Sequence, residues 1–442
     1  MDLKTLTELL KNKQLSQIRN ELVEIQEADI AELLEELNIK EAILVFRMLP
    51  KEIAAEVFSF LDVERQSELS SIVSDKELAD IINELNFDDK IDLIEEVPAN
   101  LVKRILQQST VVERRLINQF LNYPDDSAGS LMTIEFVGLK KEMTVNEAME
   151  KIRRTGFNKE TIYTSYVTGT KRTLEGIISL KDLVLSDKHT IISDIMETDV
   201  IYVNTHDDQE YIAEVFKKYD FLSLPVVDNE NRLVGIITID DIVDVIEEET
   251  TEDFQRMAAI EPTEIEYLDA SVLMLAKKRL PWLVILMFSA YLTEMVMNFN
   301  NHLIMQFALA IYTPMLMSTG GNAGAQSATL VIRSITLGEV KFKDVFRVLW
   351  KEIRVGLMVG CTLGVLNCIR IYFTDDDPFK AMMVGLTLIC TTTFAAIIGG
   401  TLPVVAKKLK LDPAIMASPM ITTIVDVTTL LIFFKIATLI LV

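Results

Sequence analysis

MITTIVDVTTLLIFFKIATLILV, residues 420–442, is an apolar run that carries a carboxylate, Asp426, in its first half. About 20 apolar residues in a helix cross a hydrocarbon core of roughly 30 Å. A charged side chain near the middle of such a span costs roughly 3 kcal/mol or more, so it faces a cavity, an ion or a partner charge. An ion path is one reading of Asp426. The others are an ion pair with a Lys or Arg of another helix, or a core helix of a soluble protein. The approach to it, LDPAIMASPMITTIVD at 411–426, narrows the choice. Pro419, Thr422, Thr423 and Asp426 lie at offsets of three, four and seven, which puts them on one face of a helix. A polar stripe therefore leads to the carboxylate. Asp412 stands just before Pro413, either as the N-cap of a helix that the proline begins or as a charge at the mouth of the path.

Working outward, five apolar stretches are long enough to span, at about 281–300, 303–331, 346–373, 380–405 and 414–441. The second holds PMLMSTGGNAGAQSATLVIR, 314–333, which is too rich in small and polar residues for a lipid-facing helix. Pro314, Gly320, Gly321 and Gly324 permit a local break that exposes backbone carbonyls, and Asn322 and Gln326 offer amides to a pore. The same residues also suit close helix packing, and the two uses can coexist. Basic residues cluster before the first span, after the second and after the fourth, whereas NFNNH and TDDDPFK carry almost none. The positive-inside rule places residues 1–280 in the cytosol and the C-terminus outside.

Charge divides the chain in the same place. Residues 281–442 hold 12 Lys+Arg against 9 Asp+Glu, and with −23 overall this leaves −26 on residues 1–280. Such an acidic half repels nucleic acid and attracts cations. Its first 128 residues read as short amphipathic helices at quasi-regular intervals, an α-solenoid-like helical domain. PDDSAG, 124–129, closes it. The chain then repeats itself: TVNEAMEKIRRTGFNKETIYTSYVTGTKRTLEGIISLKDLV, 144–184, is echoed by THDDQEYIAEVFKKYDFLSLPVVDNENRLVGIITIDDIVDVI, 205–246. Each copy reads helix, strand, turn, strand, helix. This resembles a tandem pair of CBS domains, α/β modules that often bind adenine nucleotides between the two copies. The resemblance implies a ribose contact at Asp182 or Asp241, with Thr238 beside the latter; alternatively Thr238 and Asp240 only cap a helix. A charged connecting helix, 249–280, is expected to run straight into the membrane.

The combination of acidic helical domain, CBS pair, connector and five spans bearing PMLMSTGGNAGAQSATLVIR and DPAIMASPMITTIVD resembles the MgtE magnesium transporters and channels over nearly the whole chain. The resemblance implies domains at 1–128, 129–190, 191–248, 249–280 and 281–442, in a multidomain homodimer of the cytoplasmic membrane with the pore between two membrane halves. It implies that Asp426 of both copies forms the site for Mg²⁺, which is transported largely hydrated. It also implies a regulatory role for cytosolic Mg²⁺, which bridges carboxylates and shuts the pore: Glu56, Asp88 and Asp92 from the helical domain, Asp208, Glu210, Asp220, Asp241 and Asp244 from the second CBS domain, Glu252 on the connector, and Asp412. The ion suits such bridging, since Mg²⁺ keeps several waters and takes one or two carboxylates. ATP at the CBS pair is the other implied ligand.

Each carboxylate has a structural alternative. Asp88 and Asp412 could cap helices, and EEETTED could be a solvated face. His206 has no second His or Cys nearby for a zinc site. Cys361, Cys368 and Cys390 lack metal spacing or a disulfide framework, and the polar, helical start of the chain is unlike a secretory signal. No GxxxxGK[ST] sequence and no paired nucleophile and base suggest an enzyme. Two competing functions remain: a membrane-anchored CBS nucleotide sensor that regulates a partner, and a broader Mn²⁺ or Co²⁺ transporter.

Overall fold

The computed structural model describes every residue except Glu264, Glu266, Asp269, Ala417 and Val442. It divides into two compact units, Met1–Ile246 and Glu247–Val442.

The first unit opens with ten short helices between Leu3 and Phe120. Leu3–Lys11 packs on Leu15–Leu22, and from there alternate helices pack: Glu27–Glu36 on Lys51–Ser59, that on Asp75–Glu84, that on Ala99–Gln108, and likewise Ile39–Phe46 on Val63–Ile72 and that on Phe87–Glu96. Two layers result, as the regular spacing of amphipathic segments predicts. Local signals set the ends. Ser74 with Glu77 and Thr110 with Glu113 form capping boxes that satisfy orphan backbone donors on both sides.

The repeat folds into two three-stranded sheets with the same order and sense. Val137–Leu139 pairs parallel to Thr164–Thr168, which pairs antiparallel to Leu174–Ser179; Val203–Asn204, Ser223–Val227 and Leu233–Thr238 repeat this. The central strands of both sheets carry a register shift at equivalent places, Val167/Thr168 and Val226/Val227. The copies are interlocked. Thr133, ahead of the first copy, exchanges both backbone hydrogen bonds with Ile236 of the second, and buried Tyr166 hydrogen-bonds Ser223 at 2.7 Å. The stretch around Thr133 thus bridges to the second copy although it precedes the first.

In the second unit, among the described residues, four helices are long and apolar enough to cross a membrane: Val272–Phe299, Phe342–Asp375, Pro378–Lys408 and Pro419–Leu441. A bent pair, Asn301–Phe307 with Leu309–Thr336, turned by 97°, makes a fifth if the two helices are counted as one span. The connector departs from expectation. Its helix, Ile239–Met257, stops well short of 280, and the first membrane helix begins separately at Val272. Ala259 takes a left-handed conformation, φ 55°, and Pro262 follows without a backbone donor. The Gln255 side chain then fastens the exit, accepting from the Thr263 N–H at 2.7 Å and donating to its carbonyl at 3.0 Å.

Candidate functional site

The second span corrects one expectation. Its helix runs unbroken from Thr313 to Thr336, through Gly320, Gly321 and Gly324, and the break lies earlier, at Ala308 with φ 54°. Pro314 sits in the first turn, where its missing N–H costs nothing. The glycines serve packing instead. A Cβ at Gly320 would lie 2.7 Å from the Thr391 methyl and 3.0 Å from Thr429 Oγ1; at Gly324 it would lie 2.8 Å from Ile421. These two glycines admit the fourth and last membrane helices to near backbone contact. The opposite face is polar and uncovered: Pro314, Ser318, Asn322 and Gln326, four residues apart, are all exposed. One helix therefore has a buried glycine side and an open amide side.

On the last membrane helix, Pro419, Thr422, Thr423 and Asp426 are all half-buried, as their shared face requires. Thr423 turns its hydroxyl back to the Pro419 carbonyl at 3.0 Å. Among the described residues Asp426 makes no ion pair, and its buried Oδ1 has no hydrogen-bond partner. The alternative of a salt bridge to another helix is therefore not realised. An unpaired carboxylate in an apolar bundle needs a cation or water to face.

In the first unit, Asp88, Asp92 and Asp241 do come together, and they are joined by four carboxylates that the sequence did not single out: Asp89, Glu135, Glu160 and Asp240. Asp88 and its neighbours lie on the helix Phe87–Glu96, Glu135 and Glu160 in the first CBS copy, and Asp240 and Asp241 in the first turn after Thr238. Asp88 is not the N-cap of its helix, a position held by Asn86. Burial first, then mutual repulsion, pushes the Asp88 carboxyl up to about 7, Asp92 to about 8 and Glu160 to about 8. For Asp89, about 6, and Asp241, about 7, burial again leads. Asp89 and Asp240 adjoin chosen residues and could have been read from the DD pairs; Glu135 and Glu160 carry no local signal. Among the described residues, no three His, Cys, Asp or Glu side chains are arranged to hold a metal directly. A divalent ion here would keep much of its water.

These shifts give a pH dependence with a definite sign. In the unfolded chain the carboxyls lose their protons near pH 4, whereas folded they keep them to pH 6–8. The folded state thus binds more protons across that interval, and stability must fall as pH rises. Without divalent ions, the protein is expected to melt at a lower temperature at pH 8 than at pH 6. Added Mg²⁺ should restore the loss at pH 8; calorimetry at both pH values measures it.

The remaining candidates lie apart. Glu56 is exposed on Lys51–Ser59, and burial, then Glu27, raises its pKa. Asp208 caps Gln209–Tyr219 by accepting from the Glu210 N–H at 3.0 Å, and Asp220 ends that helix in a left-handed conformation. Asp244 lies one turn beyond Asp241. Glu252 and Asp412 are both paired with Arg256. Asp412 also accepts from the Ala414 N–H at 2.7 Å, so it caps the turn begun by Pro413. His206 hydrogen-bonds Thr205 and packs on Tyr123.

Thr238 and Asp241 bond to each other, Oγ1 to Oδ2 at 2.8 Å, as a helix cap, with Asp241 turned toward the acidic group. The cleft between the copies, about 590 Å³, is lined elsewhere, by residues including Tyr163, Ser179, Lys181, Asp220 and Leu222. Asp182 adjoins it, accepting a 2.6 Å hydrogen bond from Ser179.

A bundle with an unpaired carboxylate and an uncovered amide face, in a chain that also carries a helical array and a CBS pair, defines a multi-pass membrane protein with a CBS module. The chain belongs to the MgtE family of divalent cation transporters. That family matches residues 313–436, the MgtE intracellular N domain matches 25–126, and CBS domains match 128–188 and 192–248. The magnesium transporter MgtE of Thermus thermophilus is 38% identical, over 99% of this chain and 98% of its own. That of Bacillus subtilis is 31% identical over 97% and 95%. Among solved structures, the cytosolic domain of the Mg²⁺ channel MgtE in complex with ATP is 38% identical with a TM-score of 0.53, covering 55% of this chain and all of that one.

Proposed function

We propose that this protein is a magnesium channel or transporter of the cytoplasmic membrane, working as a homodimer, with Asp426 as the ion site and the acidic group around Asp88 as the sensor of cytosolic Mg²⁺. The observation that carries the reading is the polar face of the second span together with the unpaired Asp426. Amides left open to lipid and a half-buried carboxylate without a partner are costly. Two copies that face each other across a water-filled path remove that cost and bring two carboxylates to one hydrated ion. The first membrane helix, none of whose residues is buried within the chain, also suits a second copy. A molecular mass of two chains in detergent checks the dimer.

An inside-negative membrane supplies the drive, about 4.6 kcal/mol per divalent ion at 100 mV. When cytosolic Mg²⁺ is low, the carboxylates of Asp88, Asp89, Asp92, Asp240 and Asp241 repel; when it is high, a hydrated ion bridges them and the pore closes. The positive-inside pattern supports a cytosolic first unit and an external C-terminus. Flux of Mg²⁺ into liposomes holding the purified protein, with internal Mg²⁺ varied, tests transport and closure together. Absence of flux would end the reading.

The relatives' ATP complex and the cleft beside Asp182 support an adenine nucleotide there. Calorimetric titration with ATP should show binding that Leu222→Glu abolishes and Thr238→Val leaves unchanged. The reverse pattern would return the site to Thr238.

A further inference from the structure

The membrane helices Thr313–Thr336 and Phe342–Asp375 leave a groove between them, with a volume of about 450 Å³. Its walls are apolar and exposed, Leu330 on one side and Val355 and Val359 on the other. Its floor is polar. Ser327 donates to Glu352 at 2.7 Å, and the Glu352 stem lies over Gly400, where a Cβ would come within 2.5 Å of Cγ. Its mouth is charged, with Arg347 and Lys351 beside Glu339 and Asp344. The loop that bears Glu339 is fixed from beneath, since the next residue, Val340, packs against the cluster of Val331, Ile335, Val348 and Val404.

Helix length places the groove in the bilayer. The 34 residues from Phe342 to Asp375 rise about 50 Å, well beyond a hydrocarbon core of roughly 30 Å. From Val355 to Ile369 the helix carries no charge, whereas Lys351, Glu352 and Arg354 come just before. Val355 and Val359 therefore lie at the edge of the apolar layer, with Arg347 and Lys351 at headgroup level. A lipid can enter such a groove sideways, its acyl chain along the valines and its headgroup at the mouth.

Charge selects the headgroup. Three carboxylates, Glu339, Asp344 and Glu352, against two cations, Arg347 and Lys351, leave the lining at a net −1. An anionic headgroup meets repulsion there. Arg347 already pairs with Asp344 at 3.2 Å. Lys351 and Glu339 are exposed, and among the described residues neither makes an ion pair. A phosphate suits the lysine, and a primary ammonium, with three N–H donors, suits the carboxylates.

We propose that this groove binds one phospholipid per chain, of the ethanolamine headgroup class, with its phosphate on Lys351 and its ammonium among the carboxylates of the same mouth. The lipid braces the two helices beside Gln326, which lines the groove and also belongs to the open amide face. The site does not depend on transport. It requires only that Phe342–Asp375 crosses the bilayer.

Native mass spectrometry of the full-length protein in detergent tests it, by titration with phosphatidylethanolamine, phosphatidylcholine and phosphatidylglycerol of identical acyl chains. The ethanolamine lipid should saturate at one per chain and bind about fivefold more tightly, or better, than the other two. Choline has no N–H donor, and glycerol no cation. Lys351→Gln and Glu339→Gln should each weaken the ethanolamine lipid about fivefold. Val355→Trp, which fills the groove, should abolish the preference. Arg354→Gln removes a cation at similar depth that lies outside the groove, over Trp350, and should leave the preference unchanged. Gel filtration and thermal unfolding check the fold of each variant. Equal affinity for the three lipids means a surrounding lipid shell only and overturns the site, as does tighter binding of phosphatidylglycerol. A dimer that retains no lipid, its groove covered by the second copy, overturns it too. So does a preference that persists in folded Val355→Trp. Should that variant misfold, an unchanged preference in the folded double variant Lys351→Gln, Glu339→Gln overturns it equally.

Discussion

Asp426→Asn is expected to abolish Mg²⁺ uptake while leaving a folded membrane protein. The substitution keeps size and shape and removes only the charge, so packing against the second and fourth membrane helices should persist. At an effective dielectric of about 20, two unit charges 4 Å apart interact by about 4 kcal/mol. A hydrated ion stands farther off, which lowers the figure, but the ion is doubly charged and in the proposed dimer two copies would contribute. A loss of about 100-fold or more in flux is therefore expected. Thr422→Val and Thr423→Val, which remove hydroxyls from the same face, should cost much less. Uptake by Asp426→Asn at the wild-type rate, in liposomes or in cells that depend on added magnesium, would contradict the assignment.

The combined change Asp88→Asn, Asp92→Asn, Asp241→Asn and Asp244→Asn should produce a protein that no longer closes. In the wild type, cytosolic Mg²⁺ is expected to protect the connector and the segments between the extramembrane domains from protease. In the neutralised variant, cleavage should proceed at one rate with and without Mg²⁺, and flux should stay high at internal Mg²⁺ that silences the wild type. The variant should also melt higher than the wild type in the absence of divalent ions, because repulsion among buried carboxylates has been removed. That last sign separates an electrostatic sensor from a merely structural cluster, whose neutralisation would lower stability. Retained Mg²⁺ protection would place the sensor elsewhere.

The solenoid, the paired sheets and the spans were legible because each rests on a local pattern. Helical periodicity between residues 3 and 120, the doubled GIISLKD and GIITIDD, and runs of apolar residues do not depend on what lies far along the chain. Asp426 was legible for the same reason, since its cost follows from the residues on either side of it. Glycine was misleading. Gly320, Gly321 and Gly324 allow either a broken helix or a close approach, and only the neighbouring Thr391, Ile421 and Val425 decide between them. The connector was misread because a charged helical pattern persisted past Met257, while the stop depended on Gln255 reaching Thr263.

By itself the sequence determined the division into an acidic extramembrane half and an apolar half, the doubled α/β module and the one carboxylate with no hydrophobic reason to be where it is. These are properties of composition and period, which tertiary contacts do not alter. Only the tertiary structure decided which acids meet. Glu135 and Glu160 stand some 40 to 70 residues from Asp88 in the chain, and Asp240 and Asp241 about 150; whether such groups repel depends on distance and burial after folding. It decided in the same way that Thr238 and Asp241 cap a helix while the cleft opens beside Asp182, and that Arg256 lies between Glu252 and Asp412.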